Sequence, residues 1–156
     1  MFWRLVKTLL FTAVMPGTVG VYVPQALKSH GTELPGFWRY TGAALLACGA
    51  LIYFWCAWDF IAKGLGTPAP IDAPKKLVVN GLYRFSRNPM YVGVASVIFG
   101  QALYYGSRRV AIYGCVVVLA FDLFVLLYEE PALKRSFGAQ YREYCRKVPR
   151  WIFRMG

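Results

Sequence analysis

Histidine and acid are scarce: the 156 residues hold one histidine, His30, and seven aspartates and glutamates against eighteen lysines and arginines. The four cysteines, Cys48, Cys56, Cys115 and Cys145, form no CxxC pair and have no histidine at metal-ligand spacing. A zinc site and a disulfide framework are therefore not indicated, and no metal is expected. Three of the cysteines fall in apolar stretches, where cysteine acts as a small packing residue. The strict alternation of a membrane barrel is missing. No internal repeat or low-complexity tract divides the chain, so residues 1–156 are read as one domain.

What the chain has in abundance is apolar surface: 58% hydrophobic and 17% aromatic residues, with a mean hydropathy of +0.43. Soluble domains carry roughly 45–50% apolar residues, so the solvent here is lipid. A hydrocarbon core about 30 Å thick takes about 20 helical residues to cross. Four segments qualify, near Leu5–Leu27, Phe37–Ile61, Met90–Gly106 and Val110–Tyr128. Each is predicted helical, because unpaired backbone groups are too costly in lipid. The first follows Arg4 and Lys7 as a secretory signal would, but it is long, contains Pro16 and Pro24 and lacks a small-x-small cleavage site, which reads as a retained anchor.

The formal charge of +11 raises the question of nucleic acid, but the basic residues flank the hydrophobic spans and suit anionic lipid headgroups instead. With four spans, both termini and the loop from Ala62 to Asn88 share one side and collect fourteen of the eighteen lysines and arginines. Lys28, Arg39, Arg108 and Arg109 fall on the other. The positive-inside rule then places both termini in the cytoplasm.

The connection Gly106–Arg109 is so short that the third and fourth helices must form an antiparallel hairpin. The cytoplasmic loop is broken by Gly64, Gly66, Pro68, Pro70 and Pro74 before the apolar run Leu77-Val78-Val79, which reads equally as a strand or a surface segment and ends at the turn Asn80-Gly81. After the fourth span, Ala132–Lys147 carries Phe137, Tyr141 and Tyr144 at helical spacing among basic residues, the pattern of an amphipathic helix lying at the membrane surface. Pro149 is expected to end it.

Charges inside spans point to function by default. Asp122 in the fourth span stands seven residues from Glu129, nearly the same helical face. It serves either on a path to the cytoplasmic mouth or as a hydrogen-bond partner of a neighbouring helix. Asp59, near the end of the second span, is expected to be solvated or paired with Lys63. The densest cluster runs from Gly81 to Gly93. Pro89 suits the first turn of a helix, Asn88 its N-cap, and Arg87 stands just outside. A helix N-terminus beside an arginine can hold a carboxylate or phosphate. Tyr91 lies one turn inside, and Gly93 permits close approach by a helix or a ligand. The hairpin brings Glu129-Glu130 alongside, so the clusters together offer partners for the carboxylate and the ammonium of an amino acid. A belt binding lipid headgroups is the alternative.

The ordered pattern Gly-x-Tyr-x-x-x-Arg-x-Pro-x-Tyr-x-Gly over Gly81–Gly93, a hydrophobic hairpin, Glu129-Glu130, and then Phe137-Gly138, Tyr141, Tyr144 and Val148-Pro149 resembles the isoprenylcysteine carboxyl methyltransferases and the related phospholipid N-methyltransferases. The match covers Lys76 to Arg150, about half the chain. The resemblance implies an all-helical membrane methyltransferase without a Rossmann domain, in keeping with the absence of a GxGxxG signature. Its cofactor would be S-adenosylmethionine, held on the cytoplasmic elements 76–93 and 129–150. By position, Tyr83, Arg87, Asn88, Pro89, Tyr91 and Gly93 would line the cofactor pocket and Glu129 and Glu130 would close it, with either glutamate meeting the cofactor amino group. Arg87, Glu129 and Glu130 are the catalytic candidates, and Asp122 and Tyr141 the substrate-side ones. The family usually has histidine between the arginine and the proline. Here that residue is Asn88, which hydrogen-bonds but does not titrate.

A lipophilic acceptor arriving from the bilayer would need a proton acceptor only if its nucleophile came protonated. Two other classes share the architecture: an NADPH-dependent reductase of sterol type, and a four-helix transporter using Asp122.

Overall fold

A computed structural model describes residues 12–28, 35–62 and 77–151, and among them every regular element is helical. Expectations that fall on Leu5–Phe11, His30, the Gly64–Pro74 loop, Lys63 and Lys76 lie outside the described residues.

Helix α1 (residues 12–27) is not a uniform α-helix, because a π turn, Thr18–Tyr22, precedes its last segment, Val23–Leu27. Proline is the cause. Pro24 has no N–H to give the carbonyls four and five residues back, those of Gly20 and Val19. Neighbouring helices supply the missing donors: Gln101 Nε2 donates to Gly20 O at 2.6 Å and the Tyr113 hydroxyl to Val19 O at 3.0 Å. Gln25 Nε2 donates in turn to Gln101 Oε1 at 3.0 Å. In an apolar solvent such repairs make a proline inside a span tolerable.

Helix α2 (Gly36–Ala62) packs antiparallel against α3 (Pro89–Tyr105) more closely than any other pair. Glycine sets the distance. A Cβ at Gly49 would stand 2.6 Å from Gly93 O, and one at Gly100 would stand 2.6 Å from Leu46 N, so backbone touches backbone at both crossings. Lipid gives helices no hydrophobic reason to associate, and small residues replace it with close van der Waals contact.

Helix α3 turns back through Gly106, in the left-handed region at φ 60°, and Ser107 caps α4 (Arg108–Phe124) by accepting from Val110 N at 3.4 Å. The expected hairpin is present. Its core joins Val94, Ile98 and Ala102 of α3 to Val110 and Val117 of α4. Helix α4 continues through a second π turn, Val125–Glu129, into α5 (Glu130–Lys147). Pro131 follows this turn by two residues, as Pro24 follows the first. Gly138, at φ 51°, breaks α5 midway.

Two continuous stretches, Gly36–Asp59 and Arg108–Lys147, are long and apolar enough to cross a membrane. Helix α3 has 17 residues, about 26 Å at 1.5 Å each, and falls short on length alone. Large apolar side chains point outward, among them Leu51, Phe54, Trp55 and Trp58 on α2 and Ile112, Val116, Leu119 and Leu123 on α4. That inversion of the soluble pattern suits a hydrocarbon surround.

Three segments take a definite form. Leu77-Val78-Val79 is not a strand: Val78 is buried and Leu77 packs on the aromatic face of α5, while Val79 stays at the surface. That face is itself turned inward, with Tyr141 2% exposed and Tyr144 9%, so these aromatics pack on protein. Asp59 is buried instead of solvated, its carboxylate lying against Gly81, where a Cβ would collide with it.

Candidate functional site

The turn Gly81–Arg84 is a single 3₁₀ turn, entered through Gly81 at φ 62°, and it delivers Ser86-Arg87-Asn88 to the N-terminus of α3. Pro89 takes the first helical position, buried, and Asn88 precedes it at the N-cap position. Asn88 does not cap with its side chain. Its Nδ2 donates instead to Arg150 O at 3.2 Å, and Ser86 Oγ donates to the same carbonyl at 3.2 Å. Arg87 N donates to Pro149 O at 3.0 Å. The segment Val148–Trp151, released from the helix before Pro149, is thereby stitched across the start of α3.

Glu130 is the electrostatic centre. Arg87 donates to its Oε1 at 2.9 Å from one side, while Arg150 spans both carboxylate oxygens, at 2.8 Å to Oε1 and 3.2 Å to Oε2. The Glu130 side chain keeps 6% of its surface exposed. A carboxylate so buried is tolerable only when paired and hydrogen-bonded. Its hydrogen bonds push the Arg150 guanidinium pKa up, keeping it charged. The buried Arg87 Nε has no hydrogen-bond partner, and unpaired buried donors are rare enough to mark a ligand position.

Glu129 points elsewhere. The Tyr91 hydroxyl donates to Glu129 Oε2 at 3.0 Å. Burial pushes the Glu129 carboxyl above the usual carboxylate range, with the Tyr91 hydrogen bond opposing. A regular α-helix would stack Glu129 below Asp122. The π turn adds a residue and carries Glu130 round instead, and Arg150 reaches both, with Nη1 3.8 Å from Asp122 Oδ1. Asp122 also accepts from Trp151 Nε1 at 2.8 Å. Of the two readings open for Asp122, a hydrogen bond to a neighbouring segment is the one present.

Two hollows lie on either side of the Tyr91–Glu129 hydrogen bond. The first is a polar cavity of about 60 Å³ lined by Tyr83, Arg87, Asn88, Glu129, Glu130, Tyr141 and Tyr144, with Leu77, Val78, Val125 and Leu133. The second is an apolar cleft of about 450 Å³ lined by Leu45, Tyr91, Val92, Ala95, Ser96, Phe99, Val118, Phe121 and Trp151. Most of the residues singled out from sequence converge here. Three line neither hollow: Gly93 faces Gly49 and Tyr53 of α2, its close approach being to a helix, Pro89 shapes the loop, and Asp122 reaches the site only through Trp151 and Arg150. Arg150 and Trp151 were not foreseen, for their only signal was a basic residue and an aromatic after a proline.

The sequence model of the family described as phospholipid methyltransferase matches residues 38–140. Protein-S-isoprenylcysteine O-methyltransferase B of Arabidopsis thaliana is 39% identical over 74 residues, 47% of this chain and 38% of that protein. Phosphatidylethanolamine N-methyltransferase of Malassezia globosa is 35% identical over 74 residues, 47% of this chain and 8% of that protein. The chain thus spans well under half the length of either relative. With the family match extending over most of its length, the chain belongs to the phospholipid methyltransferase family.

Proposed function

We propose that the chain is a membrane methyltransferase that transfers a methyl group from S-adenosylmethionine to a lipophilic acceptor. The observation that carries this reading is the convergence of Arg87, Glu129 and Glu130 on one cavity, with Glu129 accepting a hydrogen bond from Tyr91 of a neighbouring apolar cleft. Relatives named for methylation of an isoprenylcysteine and of a phosphatidylethanolamine support it.

The donor set fits the cofactor's amino-acid end. Arg87, with its unpartnered buried Nε, suits the carboxylate, and Glu130, now held by two guanidinium groups, suits the ammonium. Room has to be made, since about 60 Å³ is well below the roughly 300–1,000 Å³ of ordinary ligand sites. Arg150 is the group to move, because it grips Glu130 as an ammonium would and sits on a segment outside the helices.

When bound, S-adenosylmethionine supplies a methyl carbon on a positively charged sulfur, open to in-line attack. The chain's own part is to position and to desolvate. Tyr91 and Trp151 keep the cleft apolar up to the edge of the cavity. For a protonated amine acceptor, Glu129 takes the proton, the role left open by asparagine at position 88, and Tyr91 orients it. A carboxylate or thiolate acceptor needs no such step.

Four crossings with both termini cytoplasmic complete the proposal, α1 and α3 joining the two longer helices. The test is transfer of labelled methyl from S-adenosylmethionine to a panel of single-tailed and two-tailed amines and prenylated thiol-acids, by the chain reconstituted in lipid nanodiscs. Transfer to one class, lost in Arg87→Ala, supports the reading; no transfer by the folded protein to any class sinks it.

A further inference from the structure

The apolar cleft has a feature that methyl transfer alone does not explain. Its wall is built by three helices and by Trp151, which belongs to none of them. The Trp151 indole crosses the cleft where Tyr91 enters it, with ring centroids 6.3 Å apart at 67°. A lone aromatic on a non-helical segment would be free to rotate away. This one is pinned, because its Nε1 donates to Asp122 Oδ1 at 2.8 Å and the backbone carbonyl before it, Arg150 O, accepts from Ser86 and Asn88. Asp122 is a carboxylate in the apolar part of α4, and its two partners, Trp151 and Arg150, are both on the segment that crosses the start of α3.

The cleft's volume, about 450 Å³, lies in the ordinary range of ligand sites, roughly 300–1,000 Å³. Leu45, Ala95, Phe99, Val118 and Phe121 make its body hydrocarbon-like, and the exposed Leu119 and Leu123 on the bounding helix face lipid. Polar groups gather at the Tyr91 end, where the hydroxyl meets Glu129. Apolar along its length and polar at one end, the cleft is complementary to a single hydrocarbon chain carrying a polar group.

Building on the methyltransferase reading, we propose that Trp151 is the specificity-determining residue of this site. Its ring, packed against Tyr91 where that hydroxyl reaches Glu129, leaves width for one hydrocarbon chain, so that an acceptor bearing one chain reaches Glu129 and one with a second chain beside its polar group is excluded. Asp122 is the positioning residue that holds the ring in place.

The experiment uses the full chain in nanodiscs and compares an amine acceptor bearing one tail with the same headgroup bearing two. The wild type favours the single-tailed acceptor. In Trp151→Ala the ratio of kcat/KM, one tail over two, falls at least tenfold through a lower KM for the two-tailed acceptor. Asp122→Ala moves the ratio in the same direction, while Asp122→Asn, whose amide oxygen still accepts from the indole, restores it. A structural defect alone would lower both rates and leave the ratio unchanged. Binding is read separately, with a single-tailed phosphoethanolamine brominated in mid-chain. It quenches a component of the fluorescence of the five tryptophans that is present in the wild type and absent from Trp151→Phe. Trp151-dependent quenching without methyl transfer to either acceptor would retire the reaction and keep the chain site. An unchanged ratio in an active Trp151→Ala protein, or a wild type that prefers two tails, overturns the proposal while leaving the methyltransferase reading intact.

Discussion

Glu130 accepts from Arg87 and Arg150 together, so removing its carboxylate leaves two guanidinium groups facing one another. Breaking a fully buried pair costs about 3–5 kcal/mol. Arg150 keeps 29% of its side-chain surface in solvent, which places Glu130→Ala at the lower end of that range. Chemical denaturation in micelles, compared with the wild type, checks the loss. Glu129 makes a different prediction, about pH. It acts as a base only when ionised, and burial holds its pKa above the ordinary value. The rate with an amine acceptor should therefore fall as pH drops through that raised value, where an exposed glutamate would still be charged. Glu129→Gln should remove this limb of the profile and lower the rate about 10²-fold. A carboxylate acceptor should show neither effect. Sequence revealed Arg87, Glu129, Glu130 and Tyr91, because a helix start beside a proline and an acidic pair at a helix end are local signals. Arg150 stayed hidden because its partner, Glu130, is twenty residues away across a helix, and nothing in the spacing measures that.

At the scale of elements, proline and glycine decide what hydropathy alone does not. Two stretches long enough to cross a membrane were legible from apolar length, and the α3–α4 hairpin from its short turn. The π turns were not, since proline opens the ladder but only the tertiary donors Gln101 and Tyr113 make the opening tolerable. If Gln101 repairs the defect made by Pro24, then Gln101→Leu should destabilise by about 1–3 kcal/mol by leaving a buried carbonyl unpaired. The same change in a Pro24→Ala background should cost much less, a coupling that a double-mutant cycle measures directly. The α2–α3 crossing was equally hidden, for four glycines at positions 42, 49, 93 and 100 look unremarkable until two helices align them. Gly49→Ala should overpack against Gly93 and cost about 1–3 kcal/mol, seen as a lower midpoint of thermal unfolding.

Across the described residues, the cavity occupies the end of the helices where α3 begins and α4 gives way to α5, and the apolar cleft lies along α3 beside it. One hydrogen bond, from Tyr91 to Glu129, joins the two compartments. The arrangement suits chemistry between a water-borne reagent and a lipid-borne one. It was legible in sequence only as two charge clusters at one membrane face, because neither volume nor the partition between the compartments leaves a local trace. The proposed topology puts Arg4 and Arg154 on the same side, so reporters fused to either terminus should respond as cytoplasmic ones and a reporter inserted at Ser107 should not.

The central claim is that Arg87 and Glu130 bind the amino-acid end of S-adenosylmethionine. Calorimetric titration of S-adenosylhomocysteine into the purified wild type, Arg87→Ala and Glu130→Gln tests it most directly. Saturable binding by the wild type, weakened at least tenfold in both variants while each stays folded, is the predicted result. Undiminished binding in the two variants, or none in a well-folded wild type, would contradict it.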